Sequence, residues 1–568
     1  MKVLLSYKNN ESLTGDYYSS LLPVGLLTIS AFLKVRGVNV RVANFTGMDR
    51  GEINRILKNI APSVVGISQF THNRTESLEL ADQVKKLYPR TVVVMGGAHA
   101  TFCAEEVLLH NPSVDIVVCG EGEHAMQAIV DRIAAGENPC SDAVKGIAFR
   151  DGDRLVFTGP GQVIADIDSI PPAYAGIEDS IGVDVPRQLE YIITTRGCPS
   201  LCHFCSSPAF WGRTLRFRSP DAIREELCHL RNRYGMLYFS IRDDTFTADR
   251  KRVIELCRKM VENELYFFWN CQSRVNFVDE EVLVWMKRAG CECIQFGVES
   301  GSEKVLASLG KRVTESEIIR ACQLVRKVGM NLSIYLITGV PGETDEDVDR
   351  TVALVKALKP HDGLVSPLAY YPGTQLYLEA KATRAVSADA FMEPGTPGIY
   401  VRNDEFTQKA MERILMALDV SAQRNAYNRS DFARHEKVVG FSHATNLLAG
   451  ELCEREQDFV GAEHFYRAIC RHQPLNPLGW FALGELYANC GNYQSSRQAL
   501  LRVTELSPTH APAFALLGHL AMHEGRLQQA KDYLGKATQL DKWDKKLAEM
   551  FDSLGKRAGK RGKKRTEH

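Results

Sequence analysis

The sequence predicts an α/β protein with two sheet-bearing units, a doubly wound domain and a partial (β/α)6 barrel, followed by an all-α solenoid. Three observations carry that reading. Short β-branched runs alternate with helical patterns over residues 1–145, and again at wider spacing over 191–380; such alternation gives parallel sheets covered by helices. Three cysteines crowd into one loop, Cys198-Pro-Ser-Leu-Cys202-His-Phe-Cys205, where the second unit begins. After residue 440, small residues recur at a 34-residue interval, at Gly450, Gly484 and Gly518, the mark of a stacked helical repeat.

At 568 residues the chain has room for about three or four domains, each able to bury its own core. Its 69 basic and 69 acidic side chains cancel, so no global field draws nucleic acid or an anionic membrane. Met1-Lys-Val-Leu-Leu-Ser-Tyr7 reads as a strand rather than a signal peptide, and no apolar run has membrane length. Fifteen cysteines without a disulfide framework fit a reducing interior, and the expected compartment is the cytoplasm.

In the first unit, residues 1–145, strands are expected at 3–5, 40–42, 64–67, 92–95 and 116–118, with helices over 21–36, 53–60, 77–88, 104–110 and 125–135. Ligands of doubly wound sheets bind at the carboxyl ends of the strands. The loops there read Gly66-Ile-Ser68, Gly96-Gly97-Ala-His99-Ala-Thr101 and Gly120-Glu121-Gly122-Glu123. Glycines at successive strand ends let a large ligand approach the backbone, although turn chemistry alone would account for any one of them. Residues 146–190 carry Asp151-Gly-Asp153, Gly159-Pro-Gly161 and Ile170-Pro-Pro172, with too few apolar positions for a core, and read as a linker with a small hairpin.

The second unit, 191–380, is expected to place strands at 191–194, 237–241, 266–270, 293–298, 331–337 and 363–367, alternating with helices at about 220–234, 248–263, 279–288, 302–309, 315–328 and 345–358. Six βα units fall short of the eight of a closed barrel, and chemistry in such folds sits at the carboxyl ends of the strands. The cysteine loop follows the first strand, spaced C-x3-C-x2-C. Thiolates are the soft ligands that iron–sulfur clusters require, normally four in number. The next cysteine, Cys228, lies on the 220–234 helix. Three ligands leave one iron open for substrate or cofactor, as the vacant position of a catalytic zinc is open. A structural zinc site or buried free thiols would also use cysteines, but zinc sites pair two C-x2-C units or cysteine with histidine, and no second unit is found.

The first unit resembles the cobalamin-binding domain at the amino end of one class of radical S-adenosylmethionine (SAM) enzymes. The resemblance rests on Leu22-Pro23-Val-Gly25, Val65-Gly-Ile-Ser68, Gly96-Gly97-Ala-His99 and Gly120-Glu121-Gly122-Glu123. It implies cobalamin contacts at Gly25, Ser68, Gly96, Gly97, His99, Gly120, Glu121 and Gly122. The D-x-H-x-x-G motif of many other cobalamin proteins is missing, since none of His72, His99, His110 or His124 has an aspartate two residues before it. Either the cobalt's lower face has no protein histidine, or the domain has lost cobalamin and serves as scaffold.

The second unit resembles a radical SAM core through the cysteine loop, Asp243-Asp244, Cys271-Gln-Ser-Arg274, Gly297-Val-Glu299-Ser300, Gly339-Val-Pro-Gly342 and Pro372-Gly373. That resemblance implies a 4Fe-4S cluster on Cys198, Cys202 and Cys205, whose open iron takes the amino and carboxylate groups of SAM. It further implies adenine stacking on Phe204, an ammonium contact at Asp243 or Asp244, ribose or methionine contacts at Glu299 and Ser300 beside Gly297, and close backbone approach at Gly339 and Gly342. For the aspartates a helix N-cap is the competing reading, for Glu299 a salt bridge. Arg274 is a SAM or substrate contact or a solvated charge, and Tyr370 and Tyr371 are chamber wall or core.

Residues 381–440 form a connector with a break at Pro394-Gly-Thr-Pro-Gly398 and a helix over 405–424. Trp480, Leu483-Gly484 and Tyr487 match the tetratricopeptide pattern, giving about three repeats over 443–544, and a basic tail follows over 545–568. Such a solenoid offers a concave face for a peptide or protein, or simply packs.

The reading is a cobalamin-dependent radical SAM enzyme, a methyltransferase acting on an unactivated carbon. Radical oxidation or ring closure of a tetrapyrrole-like substrate, and an inactive repeat-bearing binding protein, are the alternatives. The implied partners are a small-molecule, lipid or peptide substrate, an electron donor such as flavodoxin or ferredoxin, and a protein at the repeats, with no nucleic acid. Replacing any one of Cys198, Cys202 and Cys205 by alanine is expected to strip the reconstituted protein of its cluster, measured as iron and acid-labile sulfide per chain.

Overall fold

The computed structural model describes residues 1–10, 17–387, 390–391 and 398–554. Most of the expected break at 394–398 and the Lys556–Arg565 stretch of the tail lie outside the described residues.

The first sheet has seven strands: β1 (Val3–Tyr7), β2 (Val40–Asn44), β3 (Val64–Ser68), β4 (Val92–Gly96), β5 (Ile116–Val118), β6 (Ile147–Asp151) and β7 (Arg154–Phe157). Their order is β2-β1-β3-β4-β5-β6-β7, parallel through β5. This is a doubly wound order, whose ligand crevice opens where the winding reverses. β1 and β3 are buried along their whole length, as continuous apolar strands covered on both faces must be. Ser68 pairs with Gly96, so the loops after β3 and β4 leave the sheet side by side.

The hairpin expected within 146–190 is present, but it does not stand apart. β6 and β7 pair antiparallel onto β5 and extend the first sheet, giving β5 a neighbour on its open side. The rest of that segment also packs: Ile177, Val183 and Leu189 belong to a core cluster that runs from the first sheet into the barrel. A stretch too poor in apolar residues for its own core thus fills the seam between two others.

The second sheet contains β8 (Tyr191–Ile192), β11 (Tyr238–Ile241), β12 (Phe268–Ser273), β13 (Cys291–Glu299), β14 (Asn331–Thr338) and β15 (Asp362–Pro367). They are parallel and in sequence order, an open six-stranded barrel. Between β8 and β11, a short antiparallel pair, β9 (Thr195–Arg196) and β10 (Arg216–Phe217), brackets the cysteine loop. Alternation sets the two faces: Ile294, Phe296 and Val298 are fully buried toward the helices, while Gln295 faces a chamber inside the barrel. Side-chain caps start the helices where expected, with Ser219 on Pro220–Tyr234, Asp249 on Arg250–Glu262, Asp279 on Glu280–Arg288 and Thr314 on Glu315–Val328. Asp243 and Asp244 cap none of these four helices. A last pair, β16 (Ala369–Tyr370) and β17 (Ile399–Tyr400), follows the barrel.

The repeats are three antiparallel helix pairs, His443–Arg455 with Phe459–His472, Pro477–Asn489 with Tyr493–Leu506, and Ala511–His523 with Leu527–Leu540. The periodic glycines let paired helices touch: a Cβ on Gly484 would come within 2.6 Å of Leu500 Cδ2. The solenoid is docked on the barrel. Phe268 joins the core of the first repeat beside Phe441 and Leu447, His443 Nε2 lies 2.8 Å from the Phe267 carbonyl, and Thr509 Oγ1 donates to the Asn232 carbonyl at 3.0 Å. Among the described residues, no helix is long and apolar enough to cross a membrane.

Trp269 is the largest fully buried side chain. Its indole N–H donates to the Ala289 carbonyl at 2.9 Å, and its ring stacks on Phe239. Trp269→Ala is expected to destabilise the barrel by about 3–5 kcal/mol, read from the urea midpoint followed by circular dichroism.

Candidate functional site

The cysteine loop is built by its flanks. Gly197 has φ +101, and the Cys198 N–H donates to the Gly212 carbonyl at 3.3 Å. Further on, the His203 N–H donates to the Leu309 carbonyl at 2.9 Å and the Leu376 N–H to the His203 carbonyl at 3.0 Å, pinning the loop to the opposite side of the barrel. Phe204 packs there with Val305, Leu309, Val340 and Leu368.

Cys198 and Cys202 are buried. Burial raises the Cys205 thiol to about 12, and the Asp244 carboxylate and the other two thiols add to the rise. Metal must displace the proton of Cys205 to bind there. Among the described residues, no three histidine, cysteine or acidic side chains close on a single ion. Cys228 lies on the helix Pro220–Tyr234, packed at the edge of the main core. Arg274 Nη1 approaches Cys202 Sγ at 3.4 Å, and its Nε is buried without a partner. The donor set fits a three-thiolate cluster with a cation beside it.

A cavity of ≈ 490 Å³ lies between the first sheet and this loop. Gly25, Ser68, Gly96, Gly97, Gly120, Glu121 and Gly122 all line it, facing Cys205, Phe210, Trp211 and Asp244 across the space. The backbone explains two of the glycines. Gly97 has φ +101, and a Cβ there would strike the Gln69 carbonyl oxygen at 2.6 Å; Gly120 has φ +88 and open space where a side chain would project. Bare backbone on one wall and aromatic rings on the other suit a broad, flat cofactor. No histidine is among the lining residues. His99 sits behind the wall, 3 % exposed, with Nδ1 3.1 Å from Thr71 Oγ1 and its ring edge-on to Phe391. Burial, followed by the Arg74 charge, holds its pKa down to about 3. It supports the loop from outside the cavity.

The seam is closed by a buried ion network that sequence reading missed. Arg196 donates to Glu121 at 2.8 Å and to Glu123 at 2.5 Å, and Arg216 meets the other Glu121 oxygen at 2.5 Å. The Arg196 guanidinium lies 4.9 Å from the centre of the Trp211 ring. An arginine placed directly before Gly197-Cys198, on a strand otherwise uncharged, was the signal available.

The expected SAM contacts divide. Asp244 faces the cavity, where burial raises its carboxyl against the hydrogen bond from Ser207. Asp243 turns away: it is 1 % exposed and accepts from the Thr194 N–H at 2.6 Å, the Thr194 hydroxyl and the Thr195 N–H at 3.1 Å, which fixes the strand end ahead of the cysteines. Ser300 is likewise committed, to Thr351 Oγ1 at 3.0 Å and the Ser302 N–H at 3.1 Å. Glu299 makes a salt bridge, but a buried one, 2.7 Å from Lys311 Nζ. It holds φ +66, a conformation that costs a non-glycine residue about 1 kcal/mol or more. Gly297 leaves room for that pair, since its Cβ would lie 3.0 Å from Lys311 Nζ. The Gly339 N–H is taken by Glu343 at 2.6 Å, and the Gly342 carbonyl by Lys304 at 2.6 Å.

Inside the barrel, a second chamber of ≈ 560 Å³ is lined by Tyr191, Arg242, Gln295, Ser333, Tyr335 and Asp362, with Leu22 and Val24 of the first unit closing it. Gln295 Oε1 accepts from Tyr335 OH at 2.8 Å and from Gln272 at 3.3 Å. Val24 walls both this chamber and the glycine-lined cavity. Tyr370 packs in a satellite cluster and Tyr371 is exposed; neither lines the chamber.

Fold and site together define an iron–sulfur enzyme of the open-barrel class with a cofactor-binding sheet set against its cluster loop. The chain belongs to the cobalamin-binding branch of the radical SAM enzymes. Residues 192–355 match the model of the radical SAM superfamily, 12–130 that of the B12 binding domain, and 479–510 and 511–542 that of the tetratricopeptide repeat. An uncharacterized methyltransferase of Pyrococcus horikoshii is 30% identical over 427 residues, 74% of this chain and 92% of that protein. The anaerobic magnesium-protoporphyrin IX monomethyl ester cyclase of Cereibacter sphaeroides is 31% identical over 332 residues, 57% of this chain and 54% of that one. Among solved structures, the radical SAM methyltransferase TsrM of Kitasatospora setae, with cobalamin and a [4Fe-4S] cluster bound, shares the fold at TM-score 0.61 and 16% identity, covering 79% of this chain and 95% of that one.

Arg196→Met removes the cation between two buried carboxylates. It is expected to cost about 3–5 kcal/mol of stability and to weaken uptake of cobalamin by the apoprotein, measured by melting and by equilibrium dialysis. Lysine at the same position restores charge but not the two-armed geometry, and should rescue stability more than uptake.

Proposed function

We propose that the protein transfers a methyl group to a poorly activated carbon. The observation that carries this reading is the single cavity in which the glycine loops of the first sheet face Cys205 and Asp244 of the cluster side. When bound, the cluster supplies the electron that cleaves SAM to a 5′-deoxyadenosyl radical, and cobalamin supplies the methyl group.

The chain's own residues hold and screen these groups. Cys198, Cys202 and Cys205 would ligate the cluster, and three ligands would leave it open to SAM. Asp244 accepts from the methionine ammonium, in place of Asp243. Arg274, with Nη1 3.4 Å from Cys202 Sγ, would set a cation beside the cluster. Phe204, fixed among Val305, Leu309 and Val340, offers a face to the adenine. Gly25, Gly97 and Gly120 would carry the corrin edge on bare backbone. The substrate occupies the polar chamber of Gln295, Tyr335 and Asp362, one side chain away from the cobalamin cavity at Val24. A shared wall is what a reaction needing two cofactors on one carbon demands, because the substrate must be reached from both. The methyltransferase relative of Pyrococcus horikoshii, aligned over most of its length, supports the same reading.

The cyclase relative favours a second reading, radical oxidation and ring closure without methyl transfer. A reducing cytoplasm fits fifteen cysteines that are all free, and the reductant would be a flavodoxin or ferredoxin.

Reconstituted enzyme given SAM labelled in its methyl group is expected to place the label in the product, measured by mass spectrometry; product that forms without label would establish the cyclase reading instead. Arg274→Gln is expected to keep its iron and to lower the rate of 5′-deoxyadenosine formation by about tenfold, the worth of one charged hydrogen bond.

A further inference from the structure

The first helices of the repeat pairs form a concave face, and its last stretch is a groove of ≈ 270 Å³. Phe481, Leu516 and Leu547 give it an apolar floor, and Glu485, Asp541 and Asp544 an acidic rim; no lysine or arginine lines it among the described residues. The negative charge there is crowded. Burial, then the like charges of Glu454 and Glu451, push the Glu485 carboxyl to about 7. The Asp184 carboxyl is raised by burial and further by the charges of Asp541 and Asp544, against the hydrogen bond from the Arg187 N–H and the Arg187 charge. Lys542, Lys545 and Lys546 share the segment with Asp541 and Asp544 but do not line the groove. An apolar floor with uncompensated carboxylates selects a segment of opposite charge.

The chain carries one such segment. The described residues end at Leu554, which packs with Leu547 in the core of the last repeat. Residues 545–554 are helical, so the chain leaves this helix about 10 Å from the groove residue Leu547. The following 14 residues hold Lys556, Arg557, Lys560, Arg561, Lys563, Lys564 and Arg565 against the single acid Glu567. Extended, they reach about 45 Å, and Gly555, Gly559 and Gly562 permit a reversal of direction.

We propose that the basic carboxyl-terminal tail, residues 556–565, folds back into this groove and occupies the concave face of the repeats. The proposal does not depend on which reaction the barrel performs. Its test compares the full chain with a chain ending at Leu554, using a fluorescent peptide of residues 555–568 and anisotropy at low and high salt. The shortened chain should bind the peptide saturably. The full chain should bind it at least tenfold more weakly, because a tethered copy competes at millimolar effective concentration. Glu485→Gln combined with Asp541→Asn and Asp544→Asn in the shortened chain should weaken binding about tenfold, as should high salt.

Equal binding by both chains overturns the proposal, as does no binding by the shortened chain or binding indifferent to the three substitutions. Carbodiimide crosslinking of the intact full chain gives an independent reading. Tail lysines joined to Asp541, Asp544 or Glu485 support the proposal, and crosslinks that never reach the groove count against it.

Discussion

Arg196 stands between two carboxylates of the loop after β5 and the indole of Trp211, two residues ahead of Cys198. Its side chain is 8 % exposed, and those of Glu121 and Glu123 are 6 % and 3 % exposed. Charges so buried are tolerated only when paired with good geometry. With Arg216 on the second Glu121 oxygen, two cations face two anions. The consequence is positional. The Gly120–Glu123 loop cannot move without the strand that leads into Cys198, and the glycine-lined wall and the cysteine loop keep a fixed separation.

The same economy runs through the rest of the centre. Asp243 is spent on the backbone of Thr194 and Thr195, and Glu343 on the backbone of Gly339 and Val340. Both lie at strand ends where backbone N–H groups would otherwise be buried without partners. Asp244, one residue on, is free to face the cavity because Asp243 has taken the structural role. Position in a βα loop thus separates two neighbouring carboxylates, one fixing the scaffold and one facing the cavity.

Much of this was legible before any fold was known. The strand–helix alternation gave both sheets, with barrel strands and helices within a few residues of their observed limits, since buried parallel strands are short β-branched runs that stand out against amphipathic helices. The 34-residue period located three helix pairs because Gly484 and its equivalents must be small where helices touch. The cysteine spacing pointed to a cluster loop, because three thiols within eight residues have few other uses. The segment 146–190 was harder. Its few apolar residues are too sparse to announce a core, and only their placement against two existing cores reveals that they fill one.

The linear order of residues determined the classes: which loops carry glycine, where three thiolates gather, where the repeats begin. These are local properties, set by spacing and propensity over a few residues. Which side of a loop a polar group faces was decided by the tertiary structure alone. Asp243 and Asp244 are indistinguishable in sequence, Glu299 finds Lys311 twelve residues on, and Arg196 meets Glu121 seventy-five residues back. Each outcome depends on partners brought together by packing, and the energy of burying a charge is fixed by those partners rather than by its neighbours in the chain.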